Sequence, residues 1–106
     1  VTAIGAGANF YDYTMGHARL AILRALTEAV QHSTNDSILA MLMEQLGLPV
    51  TRDQLRGQLG WLEEQGLVRL MRPADSLVVV TLRERGADVA LGRAVVDGVQ
   101  RPSPGR

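Results

Sequence analysis

Residues 50–82 combine a helix that carries both a start and a stop signal with a β-hairpin that follows at once, and few small folds accommodate that pair. Thr51 and Gln54 have the spacing of a capping box, in which each side chain satisfies a backbone donor of the other. Leu55, Leu59 and Leu62 fall at i, i+4 and i+7 and form one narrow apolar stripe. Gly66 stands where a left-handed residue ends a helix, and Leu67 can fold back on the last turn. The run Leu67–Leu70 and the run Leu77–Leu82 then read as two strands. Between them Pro73-Ala74-Asp75-Ser76 is the predicted turn, with proline's fixed φ and a short Asp suited to reversal.

Two helical patterns precede this unit. From about Gly16 to Gln31, Leu20, Leu23, Leu26 and Val30 make a large apolar stripe, with Ala18, Ala21, Ala25 and Ala29 as an adjacent strip of small side chains. Small residues admit a close neighbour, so this helix is expected to pack on two partners, the core and either the C-terminal helix or another subunit. His32-Ser33-Thr34-Asn35-Asp36 reads as a loop of capping residues. A second helix is predicted from about Asp36 to Leu46, stopped by Gly47. Its Ile38, Leu39, Met41, Leu42, Met43 and Leu46 cover more than half the helical circumference, so it is buried on two sides or offers one side to a partner. Gly47-Leu48-Pro49-Val50 is short enough for a helix-turn-helix, and Pro49 forbids continuation. The expected fold class is mainly α with a small β-hairpin wing, a winged helix-turn-helix.

Beyond the hairpin, Thr81-Leu82-Arg83-Glu84 has the spacing of another capping box and predicts a helix to about Leu91. Gly86 inside it costs about 1 kcal/mol relative to Ala and suggests a close neighbour. Ala94–Val99 is apolar enough to lie on the domain surface, and Pro102, Pro104 and Gly105 mark an irregular tail. At the other end, Val1–Asn9 is small and glycine-rich, and Phe10, Tyr11 and Tyr13 after it are every Phe and Tyr in the chain. The expected organisation is an N-terminal arm or extension over 1–15, the winged-helix domain over 16–99 and a tail over 100–106. The arm is read as weakly ordered, with docking of its aromatics on the domain or a partner subunit as the sharper alternative.

At 106 residues the core is small, and 11 basic residues against 11 acidic ones give no global field to draw nucleic acid. Every basic residue is arginine, which favours forked contacts to phosphate, carboxylate or guanine. Cysteine is absent, so disulfide and thiolate chemistry are excluded. No apolar run reaches the roughly 20 residues of a membrane span, and the default expectation is a soluble, cytoplasmic protein without membrane contact. His17 and His32 are too isolated for metal-ligand spacing, and a chain without lysine cannot build a Walker A loop. Gly5-Ala6-Gly7 lacks the strand and helix of a dinucleotide site, and adjacent Glu63 and Glu64 diverge by about 100° on a helix and read as a solvated face. No enzyme, metal or cofactor is expected.

Thr51-Arg52-Asp53-Gln54-Leu55, the run Trp61-Leu62-Glu63-Glu64-Gln65-Gly66-Leu67-Val68 and Val80-Thr81-Leu82-Arg83-Glu84-Arg85-Gly86 resemble the winged-helix transcription regulators of the MarR, ArsR and PadR kind. Ala18-Arg19-Leu20-Ala21-Ile22-Leu23, the Trp61 run and Arg101-Pro102-Ser103-Pro104 also resemble the small conserved winged-helix proteins of Mu-like phages and prophages. The resemblance implies a homodimeric phage-type protein that binds double-stranded DNA and regulates transcription. On that reading the contact residues are Thr51, Arg52, Gln54, Arg56, Arg69 and Arg72. Arg52 and Arg56 share a helix face and suit phosphate or a guanine edge, Gln54 and Gln58 suit adenine or hydration, and Arg69 and Arg72 flank the wing. Gly57 and Gly60 would permit close backbone approach.

The opposing reading is a protein–protein adaptor in phage assembly. From Val50 to Arg72 four arginines face Asp53, Glu63 and Glu64, a local net of +1, and the predicted wing tip carries Asp75. Clustering of Arg52, Arg56, Arg69 and Arg72 on one open surface favours DNA. Neutralisation by Asp53 and Glu64 favours the adaptor, with the second helix as the interface with a phage protein partner. Trp61 lies roughly 100° off the leucine stripe and is expected to pack on the first helix or the hairpin.

Overall fold

A computed structural model describes residues 9–103. Four α-helices and three strands follow in the order α1 (Phe10–Glu28), β1 (Ser33–Asn35), α2 (Asp36–Gln45), α3 (Arg52–Glu64), β2 (Val68–Ala74), β3 (Leu77–Leu82) and α4 (Glu84–Ala90), with a 3₁₀ turn at Val30–His32. The strands form one antiparallel sheet in the order β1-β3-β2. The protein is thus mainly α with a small β-sheet, and a helix-turn-helix (α2–α3) runs straight into the β2–β3 hairpin.

Helix α3 carries both of its predicted ends. The Thr51 hydroxyl accepts from the Gln54 N–H at 3.0 Å, and the Gln54 Oε1 accepts from the Thr51 N–H at 2.9 Å. At the far end Gly66 has φ +77°, which lets the Leu67 N–H reach the Leu62 carbonyl at 3.0 Å and the Gly66 N–H reach that of Glu63 at 2.9 Å. Leu55, Leu59 and Leu62 are all buried. They meet Leu20, Ile22, Leu23 and Leu26 of α1, Leu39 and Met43 of α2, and the inward sheet residues Val68, Leu70, Val78 and Val80 in one core.

Several expectations need correction. Helix α1 begins at Phe10 rather than Gly16, because Asn9 caps it by accepting from the Asp12 N–H at 2.8 Å. Phe10, Tyr11 and Tyr13 therefore stand exposed on its first turns, while residues 1–8, most of the glycine-rich stretch, lie outside the described residues. The helix also ends earlier, at Glu28, and Val30 is 86% exposed instead of completing the stripe. The loop predicted at 32–36 contains β1, whose Ser33, Thr34 and Asn35 pair with Thr81, Val80 and Val79. The hairpin loop is only Asp75-Ser76, since Ala74 already pairs with Leu77, and Arg72-Pro73 fall at a register shift between Met71 and Ala74. Strand β2 is an edge strand, where proline's missing N–H costs no ladder bond.

The Thr81 capping box does not form. Thr81 lies within β3, its hydroxyl pairs with that of Ser33 at 3.1 Å, and α4 starts after Arg83 without a side-chain cap. Gly86 does have the close neighbour its position suggests. A Cβ there would run into the Leu67 carbonyl and lie 2.8 Å from Leu82 Cδ1. Beyond α4, Val96 and Val99 are buried and the Gln100 N–H bonds the Gly16 carbonyl at 3.2 Å, so the C-terminal segment straps back along α1.

Candidate nucleic-acid interface

The six residues predicted to contact DNA fall into three groups. Thr51 and Gln54 are exposed, but their oxygens are committed to the α3 capping box. Arg69 and Arg72 are exposed on β2, Arg69 opposite Thr81 on the sheet face away from the core and Arg72 at the register shift near the hairpin tip. Among the described residues neither makes an ion pair. Arg52 and Arg56 form the third group, which the structure ties together through Asp36.

Asp36 is the first residue of α2, and its side chain is fully buried. One oxygen, Oδ2, accepts from Arg56 Nε at 2.9 Å and from an Arg52 terminal nitrogen at 3.2 Å. The other, Oδ1, accepts from the Val78 N–H of β3 at 3.2 Å. The same Arg52 nitrogen also donates to the Ser76 carbonyl at the hairpin tip, at 3.2 Å. One carboxylate thus joins α2, α3 and the hairpin. Burial by itself would raise the Asp36 pKa. The Val78 N–H, the Arg56 hydrogen bond and the charge and hydrogen bond of Arg52 outweigh it, and the carboxyl sits below its ordinary range. Asp36 is ionised at neutral pH.

Each arginine keeps an open edge. The Arg52 side chain is 47% exposed and that of Arg56 33% exposed, against 0% for Asp36. Asp36 and Ser76 take one terminal nitrogen of Arg52 and only Nε of Arg56, so among the described residues the remaining guanidinium donors have no protein acceptor. The neutralising acid is therefore Asp36, not Asp53 or Glu64, and it approaches from beneath. Along the outer face of α3, nothing lies within 4 Å of where a Cβ would stand on Gly57 or Gly60, and Asp53 and Glu64 are exposed.

Two further residues are engaged where the sequence suggests solvation. Glu63 accepts from the Leu70 N–H at 2.9 Å and so occupies an outward donor of the edge strand β2. Gln58 accepts from Arg19 Nε at 2.7 Å. Arg19 lies 4.0 Å over the Trp61 ring and donates to the Gly98 carbonyl at 2.9 Å. Trp61 therefore packs on α1, as its position off the stripe suggests, and also against the C-terminal strap. Gln58 belongs to that cluster.

Helix α2 is buried on one side only: Leu39 and Met43 face the core while Ile38, Met41 and Leu46 are exposed. His32 Nδ1 lies 3.1 Å from the Leu26 carbonyl and closes the end of α1. Among the described residues no group of three His, Cys, Asp or Glu could hold a metal ion, and no helix is long and apolar enough to cross a membrane.

The fold and this surface define a small helix-turn-helix domain with an attached hairpin. The chain is 48% identical over 86 residues to the "Uncharacterized protein gp26" of Escherichia phage Mu, covering 81% of this chain and 88% of that protein. It belongs to the family of that phage protein. A Haemophilus influenzae "Uncharacterized protein" is 39% identical over 77 residues, 73% of this chain and 74% of that one. No protein-family profile matches the chain. Among solved structures, H. salinarum RosR superposes with a TM-score of 0.60 at 23% identity, covering 70% of this chain and 66% of that one, which is a likeness of fold.

Proposed function

We propose that this protein is a winged-helix DNA-binding protein of the Mu gp26 family, homodimeric and cytoplasmic, that regulates phage transcription without catalysing a reaction. The observation that carries this reading is the pair of half-exposed guanidiniums, Arg52 and Arg56, fixed one turn apart on α3 beside the hairpin with donors open to solvent. Such a pair suits two phosphates, or one phosphate and a guanine edge. Arg69 and Arg72 on the hairpin extend the contact along the backbone. Thr51 and Gln54 serve it by holding the first turn of α3, and the Gln54 amide nitrogen remains available to a base. Because each subunit offers few cations, the reading calls for a dimer whose two copies engage one duplex.

The test is a low-salt titration of the parent and of the Arg52→Ala, Arg56→Ala double variant with a mixed-sequence duplex. The parent binds and the double variant, still folded, loses salt-sensitive binding. Binding that survives the double substitution contradicts the assignment.

A second reading, an adaptor for another phage protein, is favoured by the exposed Ile38 and Met41 of α2, by the exposed Leu46 just past its end and by the bare, acid-flanked outer face of α3. A parent protein that ignores duplex DNA at low salt, yet is soluble and folded, selects it.

A further inference from the structure

We infer that Asp36 is the positioning residue of the DNA-binding surface: it aims Arg52 and Arg56 at the phosphates instead of quenching them. The inference rests on the DNA-binding reading above and adds to it a residue that touches no DNA. A carboxylate among the cations of a nucleic-acid site ordinarily weakens binding, because it cancels charge. Here the geometry argues for the opposite outcome. Asp36 is completely buried, so no phosphate can meet it, and it takes only one edge of each guanidinium. Arginine's planar fork allows this division, with one edge held by protein and the other offered outward, which a lysine ammonium cannot reproduce.

The same carboxylate accepts from the Val78 N–H, and Arg52 reaches on to the Ser76 carbonyl. Helix α3 and the hairpin are therefore held at a fixed spacing, by the shared carboxylate at Val78 and by Arg52 at the Ser76 carbonyl. Two long side chains that would otherwise be ordered at the moment of binding are ordered beforehand. Holding a flexible side chain costs about 0.5–1.5 kcal/mol on association, so two of them correspond to an affinity gain of about fivefold to more than a hundredfold.

The sign of the effect decides between the two roles. Asp36→Asn keeps an acceptor for Val78 and makes the surface more positive by one charge. If Asp36 merely quenches, the variant binds a mixed-sequence duplex more tightly than the parent. If it positions, the variant binds at least about fivefold more weakly despite the added charge, and its salt slope becomes shallower as the arginine–phosphate contacts loosen.

A general loss of stability is separated by a cycle. In the Arg56→Ala background, which still binds through Arg52, Asp36→Asn costs a smaller factor than in the parent if its role is to aim both arginines. A loss by the same factor in both backgrounds overturns the inference. Should Asp36→Asn fail to fold, the double change Arg52→Lys, Arg56→Lys keeps the carboxylate and both charges. It is expected to lose a similar factor, and parent-like affinity in that variant overturns the proposal. Equal or tighter binding by Asp36→Asn defeats the positioning role while leaving the DNA reading intact; a parent that does not bind defeats both.

Discussion

Replacing Asp36 by alanine removes a buried carboxylate that bonds both α3 and the hairpin from α2, and its cost can be worked bond by bond. The Val78 N–H, buried under Asp36, is left without its acceptor, worth about 1–3 kcal/mol. The two ion pairs add less than buried pairs usually do. Arg52 is 47% and Arg56 33% exposed, so both can turn to water and recover most of their solvation, leaving a contribution of about 0–1 kcal/mol each. The favourable placement of a negative charge in the first turn of α2 adds a few tenths, roughly 0.3–1 kcal/mol. The expected loss is about 1–6 kcal/mol, or a fall in Tm on the order of 5–25 °C for a domain of this size. Urea unfolding followed by the fluorescence of Trp61, the one tryptophan, measures it directly. Asp36→Asn, which retains an acceptor for Val78, loses less than Asp36→Ala. An Asp36→Ala variant within about 0.5 kcal/mol of the parent refutes the claim that this carboxylate joins three elements.

Four other outcomes follow from the same geometry. Because the native Asp36 pKa lies below its ordinary value, its contribution is fully present above the unfolded pKa of about 3.9 and is lost as pH falls through the lower native value; the stability gap between parent and Asp36→Asn is therefore flat near neutrality and closes in acid, as paired urea curves at several pH values show. Gly86→Ala gains helix propensity but drives a methyl into the Leu67 backbone, which cannot rotate away, so a net loss of about 1–3 kcal/mol is expected in denaturant unfolding. Gly98→Ala meets a φ of +98° and the Trp61 ring, 2.9 Å from the new methyl, so the strap is displaced, Trp61 emission shifts to the red, and proteolysis within residues 92–103 accelerates. Ile38→Glu with Met41→Glu places charge on the exposed face of α2 and, on the proposed homodimer reading with that face as the seam, reduces the mass in solution to that of a monomer without unfolding the chain. An unchanged dimer mass rules this face out as the seam.

What the sequence reveals of this fold divides by distance along the chain. The ends of α3 are legible because Thr51 with Gln54, and Leu67 with Leu62 across Gly66, interact within a turn or two. The leucine stripe of α3 and the hairpin are legible for the same reason. Asp36 is not: its partners Arg52, Arg56 and Val78 lie 16, 20 and 42 positions away, and nothing local distinguishes it from the capping residues around it. A buried acid opposite an arginine pair one turn apart is a signal only once the fold is known. Strand β1 escapes because three polar residues carry no alternation, and its pairing is dictated by β3, 48 positions on at the Ser33–Thr81 contact. The second capping box misleads because Thr81 is claimed by the sheet first, an instance of tertiary pairing overriding a local motif. The arginines themselves are visible from their spacing, but whether their charge is cancelled depends on a residue outside the motif.

The salt dependence of duplex binding bears most directly on the proposed grip. A protein that holds DNA through Arg52 and Arg56 releases counterions from at least two phosphates per subunit, so log K plotted against log salt falls with a slope of about −2 per subunit or steeper, near −0.9 for each phosphate engaged. A slope shallower by about 1–2 per subunit in the Arg52→Ala, Arg56→Ala variant completes the expected result. A flat plot, or a folded parent that shows no affinity for duplex at low salt, contradicts it.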